Sequence, residues 1–200
     1  YFFNFLYDRI FVSKYLIRNN MKKEEENNFA FIDGQNLYKG INGWKLDYHK
    51  FLVYLKEKYN VKKAYIHIGF KNQYIDLYTK LQEQGFILNF KPTLQDNKNK
   101  DSKISKGNVD VDLAVKTLIW RWKYDKAVLI TSDGDFDTLV QYLNNKNKLK
   151  IVLSPNKQFC SSLLQIAAGS KIDYIENIKE KVRSGKRKTK QKSTATRRNR

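Results

Sequence analysis

Two hundred residues, 41% of them hydrophobic, are enough for one sizeable core, and no internal repeat divides them. A formal charge of +19 selects a polyanionic partner, nucleic acid before a membrane surface, because the basic carboxyl-terminal run has no apolar face to insert. A single cysteine, Cys160, excludes an internal disulfide and any cysteine-rich zinc site.

Residues 1–20 are apolar and aromatic but interrupted by Asp8, Arg9, Lys14 and Arg18, too broken to span a bilayer. They also lack the layout of a signal peptide, so the protein is expected in the cytoplasm, with no membrane partner. Met21, the only methionine, precedes the polar stretch 22–28 and reads as the natural start, which makes residues 1–20 an upstream extension. The rival reading is an amphipathic helix with Phe2, Leu6, Ile10, Tyr15 and Leu16 partly on one face, docked on the domain or on a second copy as a homodimer.

The apolar run 29–32 reads as a first strand and ends in Asp33-Gly34-Gln35-Asn36. Helical spacing follows over 46–59, through Tyr48, Phe51, Leu52 and Leu55. Residues 61–70 read as strand two, 74–84 as a helix stopped by Gly85, and 86–90 as strand three. The Asn-, Lys- and Pro92-containing stretch 91–107 reads as a loop, and loops this long are often functional or disordered. Asp110 and Asp112 then open a helix carrying Leu113, Val115, Leu118, Ile119 and Trp122. Two residues apart, they cannot share one helical face, so only one of them is expected to act as a primary ligand.

The run 127–131 is a short β-branched strand that leads into Ser132-Asp133-Gly134-Asp135-Phe136-Asp137, where Gly134 permits a tight turn and Asp135 is placed to cap the next helix. Strand five follows at 149–153, a helix at 161–168 and a short strand at 172–175. Strands alternating with helices specify a three-layer α/β/α sandwich with a mainly parallel sheet of five to six strands. Carboxylates gathered at the carboxyl ends of such strands repel one another, which calls for a raised pKa or a bound cation, and hard cations take oxygen ligands. His49 and His67 lie in apolar-patterned segments and are assigned no role.

Residues 181–200 hold ten Lys or Arg and no acid; removing these ten from the net +19 leaves +9 on the remainder. This tail cannot bury a core and reads as disordered.

Three stretches in this order resemble the NYN domain family, in its LabA-like branch within the PIN-like nuclease superfamily. They are Phe31-Ile32-Asp33-Gly34-Gln35-Asn36-Leu37, Lys106-Gly107-Asn108-Val109-Asp110-Val111-Asp112-Leu113-Ala114 and Ser132-Asp133-Gly134-Asp135-Phe136. The likeness spans about residues 28–180, leaving 1–27 as an extension and 181–200 as the tail. It implies a Rossmann-like (PIN-like) sheet and metal-dependent hydrolysis of phosphodiester bonds, with RNA as the substrate. Asp33, Asp110, Asp133 and Asp135 would hold Mg²⁺ or Mn²⁺, Asn36 would orient a carboxylate or water, and Asp112 and Asp137 would lie outside them. The additional Asn108 leaves open which of Asp110 and Asp112 aligns with the family's acid, and Thr138 stands where many relatives have proline or another residue. Lys100, Lys103, Lys106, Lys186, Arg187 and Lys188 are candidates for the phosphate backbone, and Trp44 or Tyr124 for base stacking.

Other readings of the acids fare worse. Asp133-x-Asp135-x-Asp137 is no calcium loop, since Thr138 and Asn144 stand where Gly and Glu are needed. A haloacid-dehalogenase-like phosphatase requires Thr or Val where this chain has Asp137 or Leu139. The alternative from another class is a domain that keeps its acids but acts only as an RNA-binding or regulatory module.

Overall fold

The protein is described from a computed structural model covering residues 25–91 and 109–185. Strands β1 (Asn28–Asp33), β2 (Val61–Gly69), β3 (Ile87–Lys91), β4 (Ala127–Ile130), β5 (Leu149–Ser154) and β6 (Ile172–Tyr174) form one sheet in the order β3-β2-β1-β4-β5-β6. Every neighbouring pair is parallel. The helices are α1 (Gly34–Gly40), α2 (Tyr48–Tyr59), α3 (Ile75–Glu83), α4 (Val109–Ile119), α5 (Asp137–Asn145), α6 (Ser162–Ala168) and α7 (Lys179–Val182).

All residues of β1 and β4 are buried, which is why both read as unbroken apolar runs. Alternate side chains enter different cores. Ala30, Ile32, Val128 and Ile130 pack with Leu37, Leu52, Leu55 and Val182 on one face. Phe29, Phe31 and Leu129 pack with Leu113, Leu143 and Leu164 on the other. Each large apolar side chain buried in this way contributes roughly 2 kcal/mol. The result is the expected three-layer α/β/α sandwich. Its chain order reverses between β1 and β4, the place where open parallel sheets leave a crevice beyond the strand ends.

Three local expectations are corrected. The strand before the acidic turn ends at Ile130, and a 3₁₀ turn (Gly134–Phe136) precedes α5; its cap is Asp133, whose carboxylate accepts from the Asp135 N–H, rather than Asp135 itself. Gly134 needs no positive φ; a Cβ there would collide with Ser161 Oγ and lie 3.2 Å from Ser161 Cβ, so the missing side chain makes room for the α6 entry. Helix α4 buries Leu113 and Thr117, while its Val115 and Ile119, and Trp122 in the 3₁₀ turn that follows, are exposed. Thr117 is accommodated because its hydroxyl donates to the Leu113 carbonyl at 2.8 Å, and the Tyr124 hydroxyl donates to the Thr117 carbonyl at 2.8 Å.

The described residues just outside 28 and 180 are also tied to the domain. Glu26 joins Lys126 (3.0 Å) and Lys150 (2.5 Å), and Lys150 above all holds its carboxyl down to about 2. The Asn27 N–H donates to Asp125 at 2.8 Å. At the other end Val182 is buried and its carbonyl accepts from the Asp47 N–H at 2.8 Å. The rest of the amino-terminal extension, the stretch 92–108 and the tail from 186 lie outside the described residues, and with them both readings of residues 1–20. Among the described residues no helix is long and apolar enough to cross a membrane.

Candidate metal centre at the strand ends

Asp33 is the last residue of β1 and the cap of α1. Its Oδ1 accepts the Asn36 N–H at 3.0 Å, which fixes the carboxylate where strand becomes helix. The next position must be glycine because α1 starts close against β2. A Cβ on Gly34 would lie 2.9 Å from Ile66 Cγ2 and 3.1 Å from the His67 carbonyl oxygen. Only 4% of Asp33 is exposed, and burial above all pushes its carboxyl up to about 6. The Asn36 N–H opposes that rise, while the negative charges of Asp110 and Asp133 add to it.

Asn36 ties the two acid-bearing strand ends together. Its Oδ1 accepts both the Ser132 N–H (2.8 Å) and the Ser132 hydroxyl (2.9 Å), a span from α1 to the segment after β4. Asp133 follows directly; its own N–H donates to Thr131 Oγ1 at 3.1 Å and its Oδ1 accepts the Asp135 N–H at 3.1 Å. Asp33, Asn36, Asp110 and Asp133 therefore line one groove. Asp135, exposed, lines an adjoining basin with Asn36 and Asp133. Asp137 turns to Thr138, accepting both its N–H and its hydroxyl.

Asp110 and Asp112 lie in different surroundings. Asp110 faces Asp33, whereas Asp112 Oδ2 meets His67 Nδ1 at 3.2 Å and Lys116 Nζ at 3.1 Å. His67 is fully buried, in register with Asp33 on one side and Asn89 on the other. Burial lowers its pKa to about 4 against the pull of Asp112, so the ring is neutral at pH 7. Asp112 can only accept, so Nδ1 carries the proton and Nε2 accepts from the Asn89 amide at 3.2 Å. Sequence reading gave His67 no role; the parity of β2 carries a signal, but only strand register aligns His67 with Asp33.

The remaining candidates divide plainly. Lys100, Lys103, Lys106, Asn108, Lys186, Arg187 and Lys188 lie outside the described residues. Tyr124 is buried and offers no face for stacking a base, whereas Trp44 is partly buried against the core.

With the acids placed, the comparison that decides the family is a match of residues 29–175 to the NYN domain model. The chain belongs to the NYN domain family. NYN domains are generally nucleases. This one is 25% identical over 141 residues to the low amplitude and bright protein LabA of Synechococcus elongatus, covering 66% of this chain and 76% of that protein. The crystal structure of a Vibrio parahaemolyticus protein of unknown function shares the fold, with a TM-score of 0.66, 22% identity, and coverage of 82% of this chain and all of the other.

The donor set of the NYN site is carboxylate oxygen with a nearby amide, which suits a hard cation of the Mg²⁺ or Mn²⁺ type better than a thiophilic one. As placed, no three acids among the described residues form a ready-made ligand group. Mg²⁺ needs no such cage, since it commonly keeps several waters and takes one or two carboxylates.

Proposed function

We propose that this NYN domain is a divalent-metal-dependent ribonuclease that hydrolyses phosphodiester bonds of single-stranded RNA at the rim between β1 and β4. The observation that supports this reading is that Asp33, Asp110 and Asp133 line one groove at the strand ends. They come from three distant stretches and lie close enough that two of them help raise the carboxyl of the third. Helix capping would require none of them to meet. The charge of +9 outside the tail supports an anionic substrate.

Asp33, Asp110, Asp133 and Asp135 would hold Mg²⁺ or Mn²⁺. Once bound, the cation supplies Lewis acidity, lowering the pKa of water and offsetting charge on the leaving oxygen. Asp33 is held rigid by the first turn of α1, and Asn36 keeps the two strand ends at a fixed spacing through Ser132. His67, held between Asn89 and Asp112, fixes α4 and so the position of Asp110.

A second reading, an RNA-binding or regulatory module without catalysis, draws on one observation: the acids are not gathered into a three-ligand group. Incubating the purified full chain with labelled single-stranded RNA and Mg²⁺ or Mn²⁺ separates the two. Cleavage that EDTA and Asp33→Asn both abolish is the expected result. RNA retarded in a gel but left intact at every metal concentration would establish the binding module instead.

A further inference from the structure

Two depressions meet at the acid rim. One is a polar basin of about 570 Å³, lined by Ser132, Asp135, Gln158 and Ser161. The other is a groove of about 860 Å³ that runs away from Asp33, Asp110 and Asp133 between α1 and the 3₁₀ turn Asn72–Tyr74. They share Asn36, Ser132, Asp133 and Phe159, so together they make a trough that passes over the acids.

The two arms differ in chemistry. The groove carries Tyr38 and Tyr74, and its wall also holds Lys39, next to Tyr38, and Lys71, three residues before Tyr74. Tyr38 is 74% exposed and Tyr74 41%, and Phe159 at the junction is 59% exposed. None of these rings serves a core. Tyr74 has a firm backing: its ring stands edge-on to that of Tyr78 at 6.5 Å, and Tyr78 is buried with its hydroxyl donating to the Gly69 carbonyl. Aromatic faces interleaved with cations, leading away from a carboxylate cluster, match a chain of alternating bases and phosphates. A duplex keeps its bases stacked inside and has no free base face to offer these rings.

Resting on the ribonuclease reading, we infer that the groove is a base-stacking subsite for nucleotides on one side of the scissile phosphate. Tyr38 and Tyr74 take unpaired bases while Lys39 and Lys71 lie along their phosphates. Every base has a π-face, so the groove selects unpaired strands rather than a sequence.

The test is fluorescence anisotropy of the full chain in EDTA, so binding is read whether or not the domain cleaves RNA. The probes are a labelled oligoadenylate and an abasic oligonucleotide of equal length, which keeps every phosphate but offers no base. The basic tail contributes equally to both. Oligoadenylate is expected to bind at least tenfold more tightly, and Tyr38→Ala and Tyr74→Ala each to weaken it roughly tenfold while leaving the abasic probe unchanged. Tyr38→Phe and Tyr74→Phe should keep the affinity, since the ring and not the hydroxyl does the stacking. Equal binding of the two probes by the parent, or equal losses on both in the alanine variants, would overturn the subsite. Failure of cleavage alone would overturn only the ribonuclease reading.

Discussion

The chain uses the same short phrase twice, Asp-Gly at the end of a buried strand, and the two copies end in different environments. Asp33-Gly34 sits at the central strand with β2 packed beside it, so the carboxylate is buried and the glycine faces the Ile66 side chain and the His67 carbonyl. Asp133-Gly134 comes after two further residues, Thr131 and Ser132; its carboxylate is half-buried and its glycine faces the side chain of Ser161. Identical residue types therefore differ in burial and in tolerance of a side chain because of what the sheet order places next to them.

The largest effect expected from this pair is on chemistry, where the two should behave alike. Asp33→Asn and Asp133→Asn each remove a charge that would hold the cation, and each should lower cleavage by about a hundredfold or more at fixed Mg²⁺. Initial rates on single-stranded RNA measure this. A Asp133→Asn enzyme with full activity would leave Asp33 without its proposed partner.

Stability should separate them. With a folded-state value of about 6 against an ordinary 3.8, Asp33 binds more protons folded than unfolded between those limits. Its contribution to stability is therefore present at low pH and lost as pH rises through about 6. Asp33→Asn should stabilise the metal-free domain at pH 7, by up to about 3 kcal/mol, with no comparable gain from Asp133→Asn. His67 works in the opposite sense. Lowered from 6.5 to about 4, it binds fewer protons folded, so stability falls as pH drops through that window. Urea midpoints between pH 4 and 7 should thus rise more steeply with pH in Asp33→Asn than in the parent, and less steeply in His67→Gln. Unchanged slopes in both would refute the burial argument.

The glycines give a smaller contrast. Gly34→Ala presses on the His67 carbonyl, which cannot move without disturbing β2, and should destabilise by about 1–3 kcal/mol. Gly134→Ala meets a serine side chain and should lose less, with part of the loss recovered by Ser161→Ala. Thermal melts of the three variants decide it.

This contrast also shows how far the sequence could be read. β1 and β4 are legible because a strand buried on both faces needs an unbroken apolar run, and their two acid turns carry the family likeness. The side α4 shows to the core is not legible, because Thr117 satisfies its hydroxyl on the Leu113 carbonyl and so occupies an interior place that apolar spacing assigns elsewhere. His67 is hidden for another reason: its alignment with Asp33 depends on strand register, a contact between residues far apart in the chain. The expectation of Tyr124 as a stacking ring fails for a related cause, since composition counts aromatic rings but only packing decides that Tyr124 is buried while Tyr38 faces solvent.

The smallest expected effect concerns Asp137, the third acid of the turn after β4. In sequence it repeats the spacing of Asp133 and Asp135, but it is the first residue of α5 and its Oδ1 is engaged by the Thr138 N–H and hydroxyl. Its remaining interaction is with the positive end of the helix dipole, worth about 0.3–1 kcal/mol for a surface carboxylate. Asp137→Asn keeps an oxygen for Thr138 and loses only that charge. A melting temperature within a few degrees of the parent and cleavage reduced no more than a few-fold are therefore expected, with the Mg²⁺-induced rise in melting temperature retained. Loss of that metal response in Asp137→Asn, alongside its survival in Asp133→Asn, would move the cation from the strand end to the helix and reverse the assignment of the two acids.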